Sequence, residues 1–424
     1  MKLNIKKTIY IGMAFLSISA FFQLYDLIIP LMLESTFGLN KTNTGIIMSI
    51  DNILALFLLP VIGAFSDRVR TPIGKRTPFI LVGTLFAVIG MIIIPVANDS
   101  KNFLLFRVGL GIVLLATALY RSPAVALMPD LTPKSLRSKG NAIINVMGVV
   151  GSILTLISIK FLVSKKLDGS GSNYLPLFIA VAIVMIIAII ILKLKINENK
   201  LLKEMPTEEH PEELVYDEKQ KLHKDVLVSL LLILASIFLW YAAYNAVTTA
   251  FSRYAIKVWN MTEGGVAISM MIANVFALLS FIPSGLLAAK IGRKKTILMG
   301  VVLVTSSYLA GIFLTKFTFI VYMMFGVIGC GWAMINVNSL PMVVELSKNS
   351  DIGKYTGMYY TAAMSAQVIT PIISGLLMDA LGYKALFPYA LIFSILSFVT
   401  MVFVRHGNTK AEIKSKLELL GADD

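Results

Sequence analysis

The chain has 424 residues, 57% of them hydrophobic and only 15% charged, and its mean hydropathy is +0.81. A soluble domain of this length does not carry so much apolar content, so the composition specifies an integral membrane protein. The formal net charge of +14 would suit nucleic acid if it were clustered, but it is spread over connections between apolar runs, which excludes a nucleic-acid binder.

Twelve transmembrane helices are predicted near residues 8–33, 44–65, 79–97, 103–128, 141–163, 174–192, 226–251, 264–288, 297–315, 317–345, 355–378 and 385–404. Sorted by alternating side, Lys and Arg favour the side of both termini by roughly three to one, which places the termini in the cytoplasm. Lys2, Lys6 and Lys7 before an apolar run, with Ser17 to Ala20 loosely like a cleavage site, also fit a signal peptide. The run continues to Leu33, and removing it would leave an odd span count, so it is expected to remain as the first span. Residues 194–225 mix acidic residues with Lys, Pro206 and Pro211 and contain no apolar run, as a solvated linker does. The expected organisation is a six-helix half at 1–193, a cytoplasmic linker at 194–225, a second six-helix half at 226–404 and a cytoplasmic tail at 405–424.

Charges within the spans are few, and each costs at least ~2.5–3.5 kcal/mol on insertion scales. On the first span Ser19, Gln23, Asp26 and Pro30 share one helical face. The second carries Asp51 and Asn52. Asp26 and Asp51, the acidic residues set well inside apolar runs, are the candidates for proton coupling. Asp51 has a structural alternative, pairing with Arg107 at similar depth. On the fourth span Arg107, Gly111, Ala118 and Arg121 share a face that Pro123 is expected to bend. Asn141, Asn145, Gly148 and Ser152 mark the fifth. The seventh has Trp240, Tyr244 and Thr248 at helical spacing with Tyr241 and Asn245 alongside, and the tenth has Trp332, Asn336 and Ser339. Aromatic faces offer apolar surface to a bound solute while Asn, Gln and Arg offer it hydrogen bonds. Gln23, Arg121, Trp240, Tyr241, Tyr244, Asn245, Trp332 and Asn336 are therefore the candidate substrate contacts. Packing within the core is the structural alternative for the same aromatics. Trp259 is expected to lie in an interfacial belt.

Between the second and third spans, Pro60 to Pro78 reads PVIGAFSDRVRTPIGKRTP. Its cluster of Asp67, Arg68, Arg70, Lys75 and Arg76 must lie at a membrane surface. Gly63 permits close helix approach, and Asp67 would suit a neighbouring helix N-terminus. The second half echoes this stretch at Pro283-Ser-Gly285-Leu-Leu-Ala-Ala289-Lys290-Ile-Gly292-Arg293, with Ala289 where the first half has Asp67.

Gly63 followed by Asp67-Arg68 in this position resembles the signature loop of the major facilitator superfamily of secondary transporters. The longer form, Asp67-Arg68 to Gly74-Lys75-Arg76 and then Pro78-Phe79, is similar to the sucrose/proton symporters and glycoside–cation symporters. So is Arg121-Ser-Pro123 through Asp130 and Pro133 to Arg137 and Asn141. The resemblance implies an all-α fold with two pseudo-symmetric six-helix bundles and a mid-membrane site between them, with Trp240 and Trp332 facing each other across its cavity. It also implies a conformational-switch motif of Gly63, Asp67, Arg68, Gly74, Lys75, Arg76 and Asp130. Asp67 is expected to stabilise the outward-facing state by pairing with the basic cluster and the start of the eleventh span, near residues 353–355. Plant sucrose symporters carry an acidic residue where this chain has Leu114, so their proton site does not transfer and Asp26 is the preferred coupling group.

The expected function is secondary active transport, proton-coupled uptake of a sugar or glycoside of the disaccharide class, with proton or sodium as coupling ion and the bilayer as surroundings. Efflux of another small organic solute and a non-transporting sugar sensor are the alternatives. Enzymatic activity is not expected. Cys330 is the single cysteine, His210, His223 and His406 fall outside the spans, and a Walker-type loop is absent, so neither metal, cofactor nor ATP is expected.

Overall fold

A computed structural model describes residues 3–133, 136–165, 171–204, 224–346 and 352–407. Among them, 12 helices are long and apolar enough to cross a membrane. They are α1 (Ile5–Ser35), α2 (Lys41–Arg68), α3 (Thr77–Asp99), α4 (Phe103–Asp130), α5 (Arg137–Leu162), α6 (Leu175–Lys195), α8 (Lys224–Trp259), α9 (Glu263–Ile291), α10 (Arg293–Phe313), α11 (Phe319–Val344), α12 (Ile352–Leu381) and α13 (Leu386–Phe403). The short α7 (Glu198–Glu204) follows α6.

Local chemistry sets several of the helix starts. Asn4, Asn40, Asn102 and Thr262 cap α1, α2, α4 and α9, their side chains accepting from the backbone N–H groups of Lys7, Asn43, Leu105 and Gly265. Gly292, at φ +95°, turns the chain from α9 directly into α10. The main departure from the hydropathy reading is α8, which runs past residue 251 to Trp259. Its last turns are held by packing: Arg253, Tyr254 and Trp259 are all buried. Trp259 is therefore not a belt residue. Its indole N–H donates to the Leu314 carbonyl at 2.7 Å, and its ring stacks on Phe387.

In the first half α1 packs on α5 and α6, α4 on α2 and α3, and α3 on α6. The same pairs recur in the second half: α8 on α12 and α13, α11 on α9 and α10, and α10 on α13. The halves are thus two pseudo-symmetric six-helix bundles, joined by α2 with α12, α5 with α9 and α1 with α8. Apolar side chains such as Leu85, Ile187, Phe313 and Ile395 on α3, α6, α10 and α13 face outward, where lipid tails satisfy them. The even span count puts both ends of the bundle array on one face, called here the terminal face.

The α2–α12 seam depends on glycine. A Cβ on Gly45 would lie 2.1 Å from the Pro371 carbonyl oxygen, and one on Gly375 would lie 2.6 Å from that of Lys41. Helix backbones this close exclude any side chain. Gly45→Val is therefore expected to hold the bundles apart on the face away from the termini. On a Cys330→Ser background, the yield of a Thr42→Cys/Asp379→Cys crosslink should fall to a small fraction of the parent's.

Candidate functional site

A cavity of about 220 Å³ lies between the bundles, lined by Gln23 and Asp26 of α1, Tyr244, Asn245 and Thr248 of α8, Met270 and Asn274 of α9, Tyr308 of α10, and Phe325 and Ile328 of α11. Its polar groups come mainly from α1 and α8, and Met270, Phe325 and Ile328 supply apolar surface. Gln23 spans the bundle interface, donating to Met270 Sδ at 3.7 Å and accepting from Asn274 at 3.4 Å. Two buried donors in the lining, Asn245 Nδ2 and the Tyr308 hydroxyl, have no protein partner. Each such group costs free energy until a ligand or water satisfies it.

The structure divides the aromatic candidates. Tyr244 stacks on Trp332 with ring centroids 3.7 Å apart and planes 8° from parallel, and Tyr241 meets the same indole edge-on at 5.2 Å. The Tyr241 hydroxyl lies 3.4 Å from that of Tyr359. Trp240 is 3% exposed and packed among Val301, Val304, Ile335 and Ser394, and the void it shares with Trp332 is about 10 Å³. The two indoles do not face each other across a site, because a sugar ring does not fit that gap. Asn336 is buried about one turn nearer the terminal face, with its Oδ1 unpaired.

On the first bundle, Asp26, Asp51 and Arg121 lie close enough to feel one another's charge. Asn52 donates to Asp51 at 2.9 Å. Arg121, seated over the Phe22 ring at 4.9 Å, takes the place the sequence suggested for Arg107. Arg107 instead lies over Phe103 at 4.8 Å.

Away from the termini the cavity is closed by residues the sequence did not single out. Arg253 of α8 forms an ion pair with Glu34 of α1, and the Tyr383 hydroxyl donates to the same carboxylate. Asp379 of α12 accepts from the Lys41 and Thr42 backbone N–H groups at 3.0 and 2.8 Å and pairs with the Lys41 ammonium at 3.4 Å. That ammonium also sits over the Tyr383 ring at 4.8 Å. Ser49 adds a bond to the Val368 carbonyl at 2.8 Å, and Ser172 one to Glu263 at 2.6 Å. All of these cross from one bundle to the other.

On the terminal face the α2–α3 loop builds a cluster within the first bundle. Arg76 is buried and pairs with Asp67, Ser66 and Asp130 Oδ2, the last at 2.9 Å, and donates to the Gly63 carbonyl at 3.2 Å. Lys75 bridges Asp130 at 3.0 Å and Asp67 at 3.8 Å. A Cβ on Gly63 would come within 2.9 Å of Ser122 Oγ, and Arg68 is exposed. Glu198 fills the N-terminus of α3, accepting from the N–H groups of Lys75, Arg76 and Thr77. Of residues 353–355, where Asp67 is expected to pair, Tyr355 is buried and the Lys354 side chain lies outside the described residues, as do His210 and His223. Half of the cluster recurs in the second bundle, where Arg293 pairs with Glu345 at 2.7 Å.

Two pseudo-symmetric bundles around a shared cavity, with charge clusters at the bundle ends, define a membrane transporter. The chain belongs to the Major Facilitator Superfamily, whose profile matches residues 11–342 and 259–421. A sucrose transport protein of Arabidopsis thaliana is 29% identical over 138 residues, which are 28% of this chain and 23% of that protein. One from Oryza sativa subsp. indica is 27% identical over 138 residues, 28% of this chain and 27% of the relative. The match thus spans about a quarter of the length of these sucrose transport proteins. An uncharacterized MFS-type transporter of Methanocaldococcus jannaschii is 22% identical over 384 residues, 89% of each chain. Among solved structures, the nucleoside transporter NupG is 14% identical with a TM-score of 0.69, over 95% of this chain and all of that one (100%). A bacterial homologue of the iron transporter ferroportin in its inward-facing state is also 14% identical with a TM-score of 0.69, covering 95% of this chain and 99% of that one. These two share the fold.

Proposed function

We propose that this transporter takes up a sugar or glycoside in symport with a proton, by rocking the bundles at 1–193 and 226–404 about the cavity. The observation that carries the reading is the chemistry of the cavity wall. Asn245 Nδ2 and the Tyr308 hydroxyl offer unpaired donors beside the Gln23 and Asn274 amides. The stacked Tyr244–Trp332 pair is one residue from that polar face. Lys, Arg and His are absent from the lining, and Asp26 is its one carboxylate, which disfavours anionic solutes. The cavity of about 220 Å³ suits one small neutral solute such as a single sugar ring. The partial likeness to sucrose transport proteins supports the same class.

Asp26 and Asp51 set against Arg121 leave one negative charge in a site flanked by hydrocarbon, and a single proton balances it. The Lys/Arg bias puts the terminal face in the cytoplasm, so the cross-bundle bonds at the other face close the external side. Reporter fusions at residue 210 and at the C-terminus should then both read cytoplasmic, and an external signal from either would break the topology.

Counterflow of a labelled sugar panel in proteoliposomes, at several pH values and with or without sodium, tests substrate and coupling ion together. Saturable counterflow of a neutral glycoside is expected. Met270, Phe325 and Ile328 favour one rival, efflux of an amphipathic cation held by Asp26. Export of such a compound with no sugar counterflow would replace the sugar reading.

A further inference from the structure

The sequence reads residues 194–225 as a plain solvated linker, yet one of its side chains is among the most enclosed in the protein. Glu198 is 0% exposed. Its Oε1 accepts from the Lys75 and Arg76 N–H groups, both at 2.9 Å. Its Oε2 accepts from the Thr77 N–H at 2.9 Å, the Thr77 hydroxyl at 2.7 Å and the Arg76 N–H at 3.2 Å. The carboxylate thus fills the N-terminus of α3, where unpaired N–H groups and the helix dipole favour a negative charge. The loop is shaped to admit it. Gly74 adopts φ +119°, and a Cβ there would fall 2.1 Å from Glu198 Oε2. A second tie follows at once, with Asn199 Nδ2 donating to the Thr71 and Pro72 carbonyls at 3.0 and 2.9 Å.

We propose that Glu198 is a positioning residue of the conformational switch, anchoring the interbundle linker to the backbone that carries Arg76. The geometry is sequential. Glu198 fixes the amides of residues 75–77, and from that fixed backbone the Arg76 guanidinium reaches Asp67 on α2 and Asp130 on α4. The linker continues from α7 toward α8, the first helix of the other bundle. The strength of the cluster therefore depends on the Glu198 carboxylate being seated against residues 75–77. The inference rests on the alternating-access reading above and not on the identity of the solute.

The test compares labelling of Thr248→Cys in the cavity, on a Cys330→Ser background, by a membrane-impermeant maleimide from each face of oriented vesicles. Glu198→Gln keeps the shape but turns an amide NH₂ toward backbone donors. It should shift the two-sided labelling ratio about tenfold, the effect of losing one charge-assisted hydrogen bond. The shift should match that of Asp67→Asn in direction, and the double variant should move no further than either single one, as residues acting through one network do. Asn199→Ala, which spares the carboxylate, should give a smaller shift of the same sign and serves if Glu198→Gln does not fold. A ratio unmoved by both linker variants overturns the proposal, as does full additivity with Asp67→Asn. Loss of thermal stability without a change in ratio would make Glu198 a fold residue only. Counterflow by the parent protein, measured separately, decides the transport reading independently.

Discussion

Asp26→Asn is expected to abolish accumulation of solute against its gradient while exchange of solute across the membrane continues. Asp26 lines the cavity on α1 and shares its electrostatic surroundings with Asp51 and Arg121. With both carboxylates ionised the site carries one net negative charge, and with one proton bound it carries none. With solute bound, the site must pass through a closed state from which water is excluded and in which that charge is poorly solvated, whereas the empty site keeps water around the carboxylates. A penalty of ~2.5–3.5 kcal/mol slows the crossing of the unprotonated, solute-loaded carrier by about a hundredfold or more. That difference forces proton and solute to move together. Asparagine keeps the shape and fixes the neutral form, so solute crosses without a proton and the gradient no longer drives uptake. Accumulation in proteoliposomes under an imposed pH gradient should fall to equilibration, with counterflow within about threefold of the parent, since a neutral hydrogen-bonding group remains at the site. A variant that still concentrates sugar would remove Asp26 from the coupling role and turn attention to Asp51→Asn.

The fold was legible because its signal is long and repetitive. Each span needs about 20 apolar residues, and those runs persist whatever packs against them. The stripe of Gln23 and Asp26 was legible for the same reason, since helical spacing alone puts them on one face. Rotation of one helix about its axis relative to another was not. Depth along the membrane suggested Arg107 as the partner of Asp51, but α4 presents Arg121 instead. Likewise Trp240 shares a stripe with Tyr244, yet its indole turns into the packing of α10 and α11, where Val301, Val304 and Ile335 hold it. Charges at span ends were the least legible. Glu34 and Arg253 are 219 residues apart, and each in isolation looks like an interfacial charge of the kind that flanks any span. Glu198 was hidden by its neighbours, because an acidic and basic run reads as solvated whether or not one carboxylate turns inward.

Arg253→Met is expected to open the face away from the termini. The Arg253 and Glu34 side chains are 4% and 10% exposed, so the variant leaves a carboxylate enclosed with only the Tyr383 hydroxyl to serve it. Losing one partner of a buried pair costs ~3–5 kcal/mol, and that cost falls on the arrangement in which this face is closed. The balance between facing states should therefore move by about a hundredfold or more toward opening there, seen as faster labelling of a cavity cysteine from that side. Net uptake should drop, because the carrier would seldom reach the opposite arrangement. Asp379→Asn, at the neighbouring Lys41 contact, should do much less: its side chain is 26% exposed and that of Lys41 21%, and such pairs contribute about 0–1 kcal/mol. The decisive variant is the double one, Glu34→Leu with Arg253→Met. Buried pairs exchanged for apolar side chains of similar volume are often neutral in stability, so removing both charges should restore much of the closure that removing one destroys. Restored labelling symmetry in the double variant would assign the single variant's effect to the orphaned charge. A double variant as open as Arg253→Met would mean that packing of the Arg253 side chain, not its pairing with Glu34, holds this face shut.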